Sequence, residues 1–158
     1  MADYRFKTLW RVEAPIDAVW DAINDSERWP EWWKGVEWVA RVESGNGDGV
    51  GNVERYVWRS RLPYAINFEM RVTTVRPPVE LRATAIGELA GEGHWRLFRS
   101  ENGTLVRYDW NVRTTRLWMN ALAPIARPLF AWNHDAVMRQ GGEGLERLLA
   151  SRDSESIV

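Results

Sequence analysis

Residues 4–12 alternate. Tyr4, Phe6, Thr8, Trp10 and Val12 fall on one side and Arg5, Lys7 and Arg11 on the other, the two-residue period of a half-buried strand. The period then changes. Ala14-Pro15-Ile16-Asp17 reads as a helix start, with proline at the first helical position and an acidic residue in the first turn. Ile16, Val19, Trp20 and Ile23 recur three and four residues apart, which predicts a short amphipathic helix broken by Asn24-Asp25-Ser26. A second short helical piece is predicted over 27–33, with Pro30 in its first turn.

From Val36 the period of two returns. Strands are predicted over 36–43, 53–60, 66–74, 80–86, 91–100 and 106–114. Residues 44–52 (SGNGDGVGN) form the first connecting loop, Pro77-Pro78 forces a turn, and Asn102-Gly103 marks a hairpin. Four glycines in that first loop predict the most mobile internal segment. After Thr115 the spacing becomes helical. Phe130, His134, Val137, Met138, Gly141, Leu145 and Leu148 make one stripe, with a break expected near Ala123 because Pro124 and Pro128 cannot lie deep in a regular helix. The order is one strand, two short helices, six strands and a long helix. This predicts an α+β fold with a curved antiparallel sheet. One helix cannot fill the concave face of seven strands, so a cavity is expected between them.

The element order and the pattern AP-x-x-x-VW-x-x-I-x-D resemble the START-like (SRPBCC) superfamily of polyketide cyclases, dehydrases and lipid-transfer proteins. The matching residues are Ala14, Pro15, Val19, Trp20, Ile23 and Asp25, then Trp29-Pro30-Glu31-Trp32-Trp33 with Gly35 and Val36. The alternating strands and a last helix carrying Met138 and Leu145 match more loosely, so the resemblance spans residues 3–150. It implies a helix-grip fold, in which a seven-stranded curved antiparallel sheet wraps a long C-terminal helix and two short helices follow strand 1. It also implies that the cavity binds a hydrophobic molecule. Aromatase/cyclases of this superfamily shape polyketide chains, whereas other members carry lipids, isoprenoids or hormones. Fold likeness does not choose between those roles. The expected organisation is a single ligand-binding domain over 1–150 and a flexible tail over 151–158.

Composition narrows the picture. A chain of 158 residues suits one domain and buries about two thirds of its surface on folding. With no cysteine there is no disulfide, iron–sulfur cluster or thiol nucleophile. A formal net charge of −1 offers no bulk attraction to nucleic acid or anionic membrane. No apolar run reaches the length of a membrane span, and MADYRFKTLW lacks the regions of a secretory signal, so a cytoplasmic location is expected. The split of 19 arginines to 2 lysines is read as codon bias. The 11 tryptophans admit two readings: a wide core, or a cavity lined with flat, rigid side chains.

Candidate chemistry is sparse. The glycines at 45, 47, 49 and 51 precede a strand rather than a helix N-terminus, which argues against a phosphate loop. The two histidines lack metal-ligand spacing, so no metal and no cofactor are expected. His94 shares strand parity with Glu92 and Arg96 and is expected to face solvent. Asp109, Arg107, Arg113, Arg55, Arg59 and Arg71 fall on the convex face. His134 occupies the core-facing stripe of the last helix and is the one catalytic candidate, with Tyr56 or Tyr108 as its expected hydrogen-bond partner. The expected ligand-binding set is Trp33, Tyr56, Trp58, Tyr64, Phe68, Met70, Trp95, Leu97, Tyr108, Trp110, Trp118, Phe130, Asn133, His134, Met138 and Gly141. Tyr64 and Trp33 would rim the mouth, and Trp118 and Trp132 would lie on or near the last helix.

Three functions compete on this reading. The first is a carrier or binding module for a hydrophobic, aromatic or polycyclic small molecule. The second is an aromatase/cyclase-type enzyme acting without cofactor on a polyketide-like substrate, with His134 or a tyrosine moving protons. The third is a cochaperone-like or toxin-like interaction domain. With one inward histidine and no inward carboxylate identified, the balance tilts toward binding. The expected partners are a hydrophobic small molecule, no nucleic acid and no integral membrane association, in a monomer or homodimer.

Overall fold

The computed structural model describes residues 3–59, 65–115, 121 and 123–156. Seven antiparallel strands form one sheet in the order β1-β7-β6-β5-β4-β3-β2. The strands are β1 (Asp3–Val12), β2 (Val36–Glu43), β3 (Val53–Trp58), β4 (Ile66–Arg76), β5 (Glu80–Gly87), β6 (Leu89–Ser100) and β7 (Gly103–Thr114). The six later strands follow one another as neighbours, while β1 pairs with the last of them, from Asp3 opposite Arg113 to Val12 opposite Thr104. The chain must therefore pass from one sheet edge to the other between β1 and β2. It does so through α1 (Ile16–Asn24), a 3-10 turn (Ser26–Arg28) and α2 (Trp29–Trp32), which close over the concave face. The long helix α3 (Ala123–Ser156) completes the grip. No helix of the described residues is long and apolar enough to cross a membrane.

The period-two reading holds along β7, where Val106, Trp110, Val112 and Thr114 are buried. It fails at one point on β4. The pairing with β5 slips between Val72 and Thr74, so one extra residue is accommodated and the side-chain parity inverts. Val75 rather than Thr74 consequently faces the interior. At the C-terminal end, α3 starts at Ala123, near the expected break, and runs through Pro128. The N–H that proline lacks would have met Pro124 in the first turn, so little is lost there. The helix also continues to Ser156, through most of the segment expected as a tail.

What locks α3 to the sheet is tryptophan. The indole N–H of Trp10 donates to the Met138 carbonyl at 3.0 Å, and that of Trp33 to the Val137 carbonyl at 2.9 Å. Trp10 and Trp33 meet edge to face at 5.4 Å, and both contact Trp95 of β6. The indoles come this close because α3 presents Gly141, Gly142 and Gly144, whose missing side chains leave room for Trp33, Trp10 and the Trp32 carbonyl. A glycine cluster that weakens a helix by propensity here makes the seat of three aromatic residues.

The loop at 44–52 differs from expectation in a similar way. Asn46 N–H donates to the Val50 carbonyl, Gly51 N–H to the Val72 carbonyl and Gly45 N–H to the Asn52 side chain. The Gly49 and Gly51 backbones adopt φ of +98° and +92°, which side chains disfavour, so these two glycines serve a defined turn. Amide exchange at Gly51 should accordingly be markedly slower than at Gly47 nearby. Equal, fast exchange at both would restore the mobile-loop picture.

Candidate functional site

A cavity of about 210 Å³ lies between the concave face of the sheet, the α1–α2 segment and α3. Its middle is aromatic. Tyr56 stacks on Phe68 at 5.6 Å, Phe68 tilts against Trp110 at 5.7 Å, and Tyr108 stacks on both Trp110 and Trp95. Trp29 packs against Tyr56, Trp58 and Trp95, closing the belt from the α2 side. Met70 of β4 and Met138, Phe130 and Asn133 of α3 complete this part of the wall.

Of the sequence-predicted residues, Trp33, Tyr56, Trp58, Phe68, Met70, Trp95, Tyr108, Trp110, Phe130, Asn133, His134 and Met138 border this one cavity. Trp33, however, is 1% exposed and belongs to the tryptophan lock, not to a rim. Leu97 and Gly141 are not in the wall. Leu97 is buried in the core beyond it, and Gly141 is covered by the Trp33 ring. Tyr64 and Trp118 lie outside the described residues.

His134 reaches the cavity but not the partner expected for it. Its ring stacks on Phe6 at 4.1 Å, and neither ring nitrogen has a hydrogen-bond partner among the described residues. Burial lowers its pKa to about 4, against a smaller opposing effect of Asp135, so the imidazole is neutral near pH 7. A neutral imidazole offers one donor and one acceptor. Tyr4, also stacked on Phe6, is a second side chain in the same wall with a buried polar atom left without a partner, its hydroxyl oxygen. Trp58, with its indole nitrogen, is a third. Buried polar atoms are rarely left unpaired, and three such side chains on one cavity wall mark a place where a guest can supply the bonds.

The polar group that the sequence reading missed is Glu54. It is 4% exposed, lines the cavity, and accepts hydrogen bonds from Ser26 Oγ and from Tyr56 Oη, the latter at 2.9 Å. Arg41 Nη2 lies 3.7 Å from its other oxygen. Strand parity was the available signal, because Glu54 shares its strand face with Tyr56 and Trp58, both in the expected ligand-binding set. Tyr56 is thereby committed: burial, then the Glu54 charge, raise its pKa well above the ordinary tyrosine value, and its proton stays on oxygen. Burial likewise raises the pKa of Tyr108, whose ring lies flat on Trp95.

His94 faces away from the cavity, as its parity predicts, but it is not open to solvent. It is 9% exposed, and its Nε2 lies 2.9 Å from Glu80 and 3.3 Å from Arg82. The other convex charges pair as expected, with Asp109 held by Arg96 at 2.6 Å and Arg107 at 2.9 Å, and Arg55 by Glu69 at 2.8 Å. The Arg55–Glu69 pair is exposed and of a kind that contributes about 0–1 kcal/mol, while the Asp109 pairs are partly buried.

None of the curated proteins matches this chain. Among solved structures it is similar to TTHA0849 from Thermus thermophilus, at 18% identity and a TM-score of 0.71 over 91% of this chain and 97% of that one. It is similar to the Zhui aromatase/cyclase from Streptomyces sp. R1128, at 15% identity and a TM-score of 0.74 over 96% of each chain. Ara h 8.0201 superposes at 15% identity and a TM-score of 0.65 over 95% of this chain and 99% of that one. At such identities the likeness is one of fold, the helix-grip. A family model described as polyketide cyclase / dehydrase and lipid transport matches residues 5–150, almost the whole chain, in agreement with the order of elements. The chain belongs to the polyketide cyclase/dehydrase and lipid transport family.

Proposed function

We propose that the protein binds a hydrophobic, aromatic or polycyclic small molecule in the cavity between sheet and α3, as a carrier or a cyclase-like binding module. The observation that carries this reading is the set of unpartnered polar atoms on an aromatic wall: both His134 nitrogens, Tyr4 Oη and Trp58 Nε1. A cavity kept only to relieve packing would be lined by groups with nothing to satisfy. Here flat rings supply stacking surface and a few polar atoms supply orientation, the usual composition of a small-molecule site.

Trp29, Trp33, Trp58, Trp95 and Trp110 all border the space, so occupancy has an intrinsic signal. Titration with flavonoids, sterols and fatty acids should give saturable quenching of tryptophan fluorescence for the aromatic members. His134→Ala should weaken that binding about ten-fold, as expected for one lost buried hydrogen bond. Flat titrations across all three classes would overturn the binding role, and binding unchanged in His134→Ala would reduce His134 to a packing residue.

An aromatase/cyclase-type activity is the second reading, and the Glu54 carboxylate favours it. A cyclase needs a titratable group beside its substrate, and Glu54 with its hydrogen-bonded Tyr56 stands in the cavity wall.

A further inference from the structure

We propose that Glu54, held by Ser26, Tyr56 and Arg41, anchors a ligand hydroxyl of the phenol or enol class and makes the cavity select hydroxylated aromatic rings over their ethers. The inference rests on the small-molecule reading of the cavity and names the group its ligand must carry.

A carboxylate this deeply buried is costly unless it is bonded, and the bonds it makes are uneven. Oε2 takes two donors, Ser26 Oγ and Tyr56 Oη. Oε1 faces only Arg41 Nη2 at 3.7 Å, ion-pair range but beyond a hydrogen bond, and Arg41 is shared with Glu27 at 3.4 Å. Each carboxylate oxygen accepts about two hydrogen bonds, so Oε1 has capacity left among the described residues. The unmet demand is for a donor.

The surroundings decide which donor. Tyr56 is no substitute, because its single hydroxyl hydrogen is already directed at Oε2. A ligand ammonium is disfavoured, since Arg41 stands at the same oxygen and two cations would compete for one carboxylate. A neutral O–H fits. It completes the coordination of Oε1 without adding charge, and a weakly acidic phenol or enol is the strongest neutral donor of that type. The ring that carries it meets Tyr56, Phe68 and Trp29, a stacking surface. The space of about 210 Å³ exceeds the roughly 150 Å³ pocket that holds benzene, which allows a second fused ring.

An O-methyl ether has the same ring and an oxygen of similar size but no hydrogen, and it would set lone pairs against Oε1. Hydrogen bonds to charged groups imply a preference of about ten- to hundred-fold for the hydroxyl form. Calorimetric titration of the full chain with 2-naphthol and with 2-methoxynaphthalene measures that preference directly. We expect the wild type to bind 2-naphthol at least ten-fold more tightly, and Glu54→Gln to bring the ratio below about three-fold by weakening naphthol while sparing the ether. Equal wild-type affinities overturn the anchor whatever the variant does, and so does a Glu54→Gln protein that keeps the wild-type ratio. If circular dichroism shows Glu54→Gln unfolded, Glu54→Asp, which withdraws the carboxylate by one methylene, should lose the same discrimination, and retention there is equally fatal. Failure of the wild type to bind either naphthalene also overturns the anchor, whereas the cavity's binding role falls only if the flavonoid, sterol and fatty-acid titrations are flat as well.

Discussion

Gly144→Ala is expected to destabilise the protein by more than about 3 kcal/mol, although alanine is the better helix former by about 1 kcal/mol. A Cβ at position 144 would overlap the Trp32 carbonyl oxygen and lie 2.9 Å from its carbon. Those are backbone atoms, so no rotamer change relieves the contact. Either α2 or α3 must shift, and α2 carries Trp29 and Trp32, with Trp33 directly after it. Gly141→Ala should be harmful for a related reason, since its Cβ would meet the Trp33 indole at 2.5 Å. That ring is held by its bond to the Val137 carbonyl. Gly142→Ala is the internal control. Its Cβ would stand 3.1 Å from the Trp10 ring, close enough to need a few tenths of an ångström, and helix propensity offsets part of that cost. Chemical denaturation should rank the losses 144, then 141, then 142. A neutral or stabilising Gly144→Ala would show that α2 does not pack on α3 as described.

The second large effect concerns acid. His134 titrates near 6.5 in an unfolded chain and near 4 in the folded protein, because burial penalises its charged form. The unfolded state therefore binds a proton first as pH falls. Stability contributed by the neutral ring is fully present above about pH 6.5 and is lost progressively toward pH 4, where the folded form begins to protonate and the loss levels off. The depressed pKa corresponds to about 3 kcal/mol across that window. His134→Phe keeps a ring to stack on Phe6 and removes the titration. Unfolding free energies measured from pH 7 to pH 4 should fall more steeply for the wild type than for this variant. Parallel curves would mean that the imidazole is solvated in the folded protein, and its place in the ligand site would fail with it.

Both predictions turn on residues whose meaning changed between sequence and structure. The spacing of Phe130, His134, Val137, Met138, Gly141 and Leu145 identified the inner face of α3, because a helical period is a local property of the chain. It could not separate cavity from core along that face. His134 opens into the space, while Gly141 is covered by an indole contributed from more than a hundred residues earlier. The tryptophans divide in the same way. Trp10 and Trp32 serve the seat on α3, Trp58, Trp95 and Trp110 border the cavity, Trp33 does both, and composition alone gave no basis for the division. Glu54 was legible by parity beside Tyr56 and Trp58. Residue type points the other way, because charged residues ordinarily belong to the solvated face.

Local pattern along the chain was enough for the element order, the inward parity of most strands and an α+β fold with a curved antiparallel sheet, since strand and helix periods, prolines and turn residues act over a few positions; the helix-grip was implied by the family resemblance. Three things came only with the folded molecule: which inward residues reach open space, where the β4 register slips, and which polar atoms are left without partners. These depend on the curvature of the sheet and on contacts between distant segments, chiefly the glycine seat that sets how closely α3 approaches α2. Packing distance between non-neighbouring elements is a sum over many side chains, and no local pattern encodes it.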